Sequence, residues 1–88
     1  MVNTENALPQ ELANPTKRVV GMKQVLRFAN SGQLEKIYIA ANVDAYVREA
    51  VVAAAKSACI ETEEAESKEI LGKACGIKVC AACAGIIK

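Results

Sequence analysis

Apolar residues recur along this chain in short blocks, some at alternating positions and others three or four apart. Residues 1–15 contain few of them and read as a polar lead-in with one helical turn near Gln10 to Ala13. Asn14-Pro15 closes that turn, because a residue before proline disfavours helical backbone. A single domain is expected over 16–88. It opens with the strand candidate "TKRVV", which Gly21 breaks. In the following "MKQVLRFANSG", Met22, Val25, Leu26 and Ala29 share one helical face and Lys23, Gln24 and Arg27 share the other, with Gly32 as a natural C-terminal cap. The β-branched run "EKIYIAA" predicts a second strand. Asn42 and Asp44 are turn and N-cap candidates, and "AYVREAVVAAAKS" is a second helix with Val47, Val51, Ala54 and Ala55 at helical spacing.

"ACIETEE" reads as a third short strand running out into an acidic loop. Ser67 can cap the next helix and Gly76 can close it. The continuous apolar run "VCAACAGII" then fits a buried final strand. The resulting order, β-α-β-α-β-α-β, predicts an α/β domain with helices on both faces of a sheet. One stretch resists this scheme: Ile77, Lys78 and Val79 follow a helix-ending glycine, and apolar residues in a solvent-facing turn need a reason.

Composition narrows the picture. A chain of 88 residues supports one modest core. Its 52% apolar content comes mostly from Ala, Val and Ile with 3% aromatics, which suits close helix-on-sheet packing and not base-stacking on many rings. The N-terminal stretch lacks a cationic start followed by an apolar run. The longest apolar run, the nine residues from Val79 to Ile87, is too short to span a bilayer. A soluble, cytoplasmic, monomeric protein without a membrane partner is expected. Net charge is only +1, but it is unevenly spread. From Lys17 to Lys36 five basic residues stand against Glu35 alone; Asp44 to Glu69 holds three basic and seven acidic residues; Ile70 to Lys88 adds Lys73, Lys78 and Lys88. Such asymmetry suits an anionic partner that touches both basic segments and avoids the acidic one, although a patchwork solvated surface gives the same pattern.

Enzyme chemistry finds little support. No histidine is available as a base, and no phosphate-binding or dinucleotide-binding glycine pattern follows a strand. "GKACG" has its glycines in and after a helix, so its N–H groups would not converge on phosphates. Cys80 and Cys83 form a C-x-x-C, which raises a metal or redox module as one alternative. In a strand, however, residues three apart point to opposite faces, and all four cysteines read better as small core residues. Glu61, Glu63, Glu64 and Glu66 read as a solvated loop, so neither a metal nor a cofactor is expected. "GMKQVLR" is more informative: two cations and a bidentate amide beside a helix N-terminus suit phosphates and base edges, although taken alone an ordinary exposed polar helix face gives the same pattern.

Together, "GMKQVLRFANSG", "IYIAANVDA" and "SKEILGKACGIKVCAACAGI" resemble the ribosomal protein family L-seven-Ae / L-thirty-e, the kink-turn RNA binders, and most of all its small bacterial members. The likeness runs from about Thr16 to Ile87, with the helix-turn segment its most specific part. It implies a three-layer α-β-α sandwich around a four-stranded mixed sheet, without catalytic activity. It also implies a structured RNA partner, a kink-turn, ribosomal RNA included. By position, Gly21 would allow close backbone approach, Lys23 and Gln24 would meet purine edges beside sheared G·A pairs, and Arg27 would meet phosphate. Ile77, Lys78 and Val79 would cover the nucleotide projecting from the kink. Lys23 and Gln24 match the bacterial pattern, where archaeal and eukaryotic members carry Asn-Glu. Met22 completes the expected RNA-binding set. Two positions depart from the family: Met22 replaces a small hydroxyl residue, and Asn42 an acidic one. The rival reading is a protein-interaction domain on the same fold.

Overall fold

The computed structural model describes residues 8–88. The first seven residues of the expected polar lead-in lie outside the described residues. A 3-10 turn, Gln10–Ala13, precedes β1 (Arg18–Val20), α1 (Met22–Asn30), β2 (Leu34–Ala40), α2 (Ala45–Ser57), β3 (Glu61–Ala65), α3 (Lys68–Ala74) and β4 (Cys83–Ile87). The four strands form one mixed sheet in the order β1-β4-β2-β3. β4 runs antiparallel to both β1 and β2, and β3 runs parallel to β2. It follows that β1, β2 and β3 all point the same way, and each is followed by a helix that returns.

Helices cover both faces, giving the three-layer sandwich. Val25 and Ala29 of α1 and Val47, Val51 and Ala55 of α2 pack on Val19, Ile37, Ile39 and Cys83. On the other face Leu71 and Cys75 of the α3 segment, with Leu12 from the 3-10 turn, pack on Tyr38, Ala40, Ala84 and Ile86. The sequence pattern changes at Thr16, but packing runs across that point, because Leu12 is fully buried. Arg18 fastens this layer. Its guanidinium donates to the carbonyls of Leu12 (2.8 Å) and Cys75 (2.9 Å), tying the 3-10 turn to the end of α3.

Several boundaries differ from the sequence reading, each for a physical reason. β2 begins at Leu34, and a bulge between Leu34 and Lys36 breaks the period of two. The bulge puts Leu34 on the same face as Ile37 and Ile39, which simple alternation forbids. The acidic residues form β3 itself instead of a loop after it: Glu61 to Ala65 pair with Lys36 to Ala40 at the sheet edge. Charged side chains on an edge strand discourage pairing with another chain, and two of them also find cations. Lys36 pairs with Glu63, and Arg48 with Glu64 at 2.6 Å.

β4 begins at Cys83, four residues later than the apolar run suggests. The missing residues run back along α3. The Ile77 N–H bonds the Gly72 carbonyl at 3.1 Å and the Ala81 N–H bonds the Lys68 carbonyl at 3.1 Å, so these two amides are satisfied by the helix and not by a strand. Gly72 permits this closeness, since a Cβ there would overlap the Val79 carbonyl oxygen and lie 3.3 Å from the Ala81 nitrogen. The cysteines divide accordingly. Cys75 and Cys83 are buried, as core packing requires, whereas Cys59 and Cys80 are exposed. Burial pushes the Cys75 thiol up, with Arg18 opposing, and pushes Cys83 up to about 11.

All three helices end in the same way, with the N–H two residues past the cap reaching back to the carbonyl five residues earlier. Gln33 bonds Phe28 at 3.1 Å, Ile60 bonds Ala55 at 2.8 Å and Ile77 bonds Gly72 at 3.1 Å. The residue between must be left-handed. Gly32 and Gly76 fill that place in α1 and α3, but in α2 it is Cys59, at φ 57°.

Candidate nucleic-acid interface

α1 starts at Gly21, whose φ of 95° excludes an ordinary side chain conformation. Its N–H bonds the Cys83 carbonyl at 2.9 Å, and its own carbonyl accepts from Val25 at 2.9 Å, the first bond of the helix. No side chain caps α1, so its first N–H groups face outward together with the partly positive helix end. Met22 is half-buried and turned against the α1/α2 core. Lys23, Gln24 and Arg27 are exposed. The Arg27 guanidinium donates to Gln24 Oε1 at 3.0 Å and lies over the Phe28 ring, 5.7 Å from its centroid. An i, i+3 pair of this kind holds the amide and the cation as one unit.

The segment 77–82 forms the second part. Ile77 is half-buried and packs on the cluster that contains Leu71, as expected of the residue two past a helix cap. Lys78 is exposed, and Val79 is 70% exposed, one of two large apolar residues so exposed among those described. The segment then enters β4, where Ala84 pairs with Val20, the Cys83 carbonyl holds Gly21, and the Ala82 carbonyl accepts from Ala40 at 2.9 Å. The residues before β4 therefore meet the end of β1 and the start of α1 at one end of the sheet, over fifty positions apart in sequence.

The same end holds the β2–α2 connection and the start of α3. Asn42 does not cap its own helix. Its Oδ1 accepts from the Lys68 N–H at 2.8 Å, while Ser67 Oγ accepts from Ile70 at 3.1 Å, so two side chains serve the start of α3. Glu69 is held below the usual carboxylate range by its own backbone N–H, with help from Asn42, Cys80 and Ser67. Cys80 Sγ lies 3.7 Å from Glu69 Oε2. Asn42, Glu69 and Cys80 thus join three separate segments at this end.

Charge is arranged to match. Because β1 to β3 share one direction, α1 and α2 both begin here; the start of α1 carries no acidic residue, whereas Asp44 stands at the start of α2. Lys36 and Arg48 are engaged by Glu63 and Glu64, and Arg48 also donates to the Ala40 and Ala41 carbonyls at 3.3 and 3.2 Å. Lys23, Arg27 and Lys78 have no carboxylate partner among the described residues. A separate cleft of about 550 Å³, lined in part by Lys17, Lys36, Tyr38 and Lys88, lies toward the opposite end. Among the described residues no three Cys, Asp or Glu side chains gather into a possible metal site, and no helix is long and apolar enough to cross a membrane. Sequence reasoning found the α1 face and the 77–79 turn. It missed the bracing by Asn42 and Arg48, which no local pattern signals because their partners are backbone groups of other elements.

Comparison with known proteins gives the chain a family. Residues 4–88 match the model of the ribosomal protein L7Ae/L30e/S12e/Gadd45 family. The chain belongs to that family. It is 38% identical over 72 residues to an RNA-binding protein of Geobacillus sp. (strain WCH70), covering 82% of this chain and 88% of the relative. It is 36% identical over 72 residues to RNA-binding protein YbxF of Geobacillus stearothermophilus, with the same coverage. Among solved structures, the Giardia lamblia 15.5kD RNA binding protein superposes with a TM-score of 0.78 at 26% identity, covering 90% of this chain and 67% of that one. Membership of this family accounts for the four-stranded mixed sheet and its helical layers.

Proposed function

We propose that the chain binds structured RNA of the kink-turn type, stabilising the bent helix-bulge-helix by binding that conformer in preference to the extended one. The observation that carries this reading is the meeting of the α1 start with the segment before β4. Gly21 and Cys83 are hydrogen-bonded, so a groove-facing helix end and an exposed apolar turn share one surface. Lys23 and the Gln24 amide address purine edges, Arg27 addresses phosphate, and the outward N–H groups of α1 add to the attraction for an anion. The Ile77–Val79 turn provides an apolar cover for a nucleotide displaced from the stack, with Lys78 beside it for the backbone. The names of the Geobacillus relatives support the RNA assignment, and the acidic β3 lies at the sheet edge opposite β1, the strand that leads into α1. No step here calls for a catalytic group; the ligand is recognised by its shape and charge.

Gel-shift titration against a kink-turn RNA and a version with the G·A pairs disrupted tests the proposal. Selective binding of the intact RNA is expected, and equal or absent binding of both would overturn it. In the same assay Arg27→Ala should make the plot of log K against log salt shallower by about 0.7–0.9, the value of one phosphate contact. An unchanged slope would remove Arg27 from that role.

A further inference from the structure

We infer that Tyr46 is a base-stacking platform at the edge of the interface, receiving an unpaired base of the bulge distinct from the nucleotide covered by the Ile77–Val79 turn; this rests on the RNA reading above. The chain has one Phe and two Tyr. Tyr38 is 4% exposed and belongs to the core, and Phe28 is half-buried beneath Arg27. Tyr46 is the remaining ring, 65% exposed in the first turn of α2. A ring this exposed contributes little to the fold, whereas its position has a clear consequence. α2 begins at the strand end where α1 begins, and the two helices run side by side into the same core. Side chains on a helix lean toward its N-terminus, so Tyr46 inclines toward the interface end and not along the helix flank.

The chemistry around the ring selects its partner. Asp44 and Glu49 flank it, both exposed, and the Asp44 carboxylate makes no capping bond to its own helix. Two carboxylates repel phosphate, so the backbone of an RNA would keep clear of this spot. The face of a base carries no charge and stacks on a phenol ring whatever its identity. A bulge supplies bases free of pairing, and a single exposed ring suffices for one of them.

The test uses the full chain and a kink-turn RNA carrying 2-aminopurine at each bulge position in turn. Wild type and Tyr46→Phe should bind alike and alter the fluorescence of one bulge position besides that of the nucleotide covered by the Ile77–Val79 turn. Tyr46→Ala should lose that signal and bind about tenfold more weakly, within the range for one stacked base. Affinity within twofold of wild type for Tyr46→Ala, with the fluorescence change retained, would overturn the inference while leaving the RNA reading intact. If wild type fails to distinguish the intact RNA from its G·A-disrupted version, the RNA reading itself has failed and the stacking role goes with it.

Discussion

Gly72→Ala tests the link between the fold and the interface. The added methyl would overlap the Val79 carbonyl and press on the Ala81 nitrogen and Cys80 Cα, both at 3.3 Å. These are backbone atoms, so no side chain can swing aside; the segment must retreat by about 1 Å to restore ordinary contact. Alanine in a helix favours the variant by about 0.5–1 kcal/mol. Against this stand an overpacking cost of about 1–3 kcal/mol and weakening of the Ala81-to-Lys68 bond, worth about 1 kcal/mol. The net expectation is a destabilisation of about 1–3 kcal/mol. Urea unfolding should show a midpoint lowered by about 1 M for a domain of this size. Gel shifts at urea-free conditions should show weaker RNA binding, because Val79 is displaced while Lys23, Gln24 and Arg27 stay in place. A variant as stable as wild type with unchanged affinity would refute the claim that α3 seats this segment.

Three further outcomes follow from separate features. Cys59→Gly relieves a left-handed residue whose side chain is exposed, and the strain of about 1–2 kcal/mol exceeds the entropy cost of glycine, so thermal melting should rise by roughly 2–5 °C. Cys83 keeps its proton up to about 11 in the folded chain, against an ordinary value near 9, so the unfolded chain ionises first and stability falls as pH rises across that window. The loss from this thiol should approach roughly 2–3 kcal/mol, and Cys83→Ala should flatten the dependence in denaturant titrations between pH 8 and about 11. Arg18→Met leaves the Leu12 and Cys75 carbonyls without their donor and should cost about 2 kcal/mol by urea unfolding. Arg18→Lys should rescue little of this, since one ammonium does not reproduce the planar fork.

Local chemistry made much of this molecule readable before its structure. α2 occupies the residues that its apolar spacing marked, and Ser67, Gly32 and Gly76 sit where helix ends require them. What escaped was set by distant partners. Leu34 joins the core only through a bulge, and Cys59 ends α2 in a conformation its identity does not announce. The acidic run became an edge strand because β2 offered a free edge and Lys36 of β2 and Arg48 of α2 offered cations. The apolar run Val79–Ile87 reads as strand throughout, yet Val79, Cys80 and Ala81 lie against α3 because Gly72 leaves room for them. At the candidate interface the same division holds. The exposed face of Lys23, Gln24 and Arg27 was visible in helical spacing, but the bond joining Gly21 to Cys83 depends on how the strands pair.

The shared direction of β1, β2 and β3 also gives the molecule a usable far side. The connection through Ser31, Gly32 and Gln33 is exposed and lies at the pole where α1 finishes, remote from where it starts. A dye, a linker or a solid support attached at that corner would leave the proposed RNA contacts unobstructed, so immobilised or labelled chain can serve in binding measurements without being redesigned.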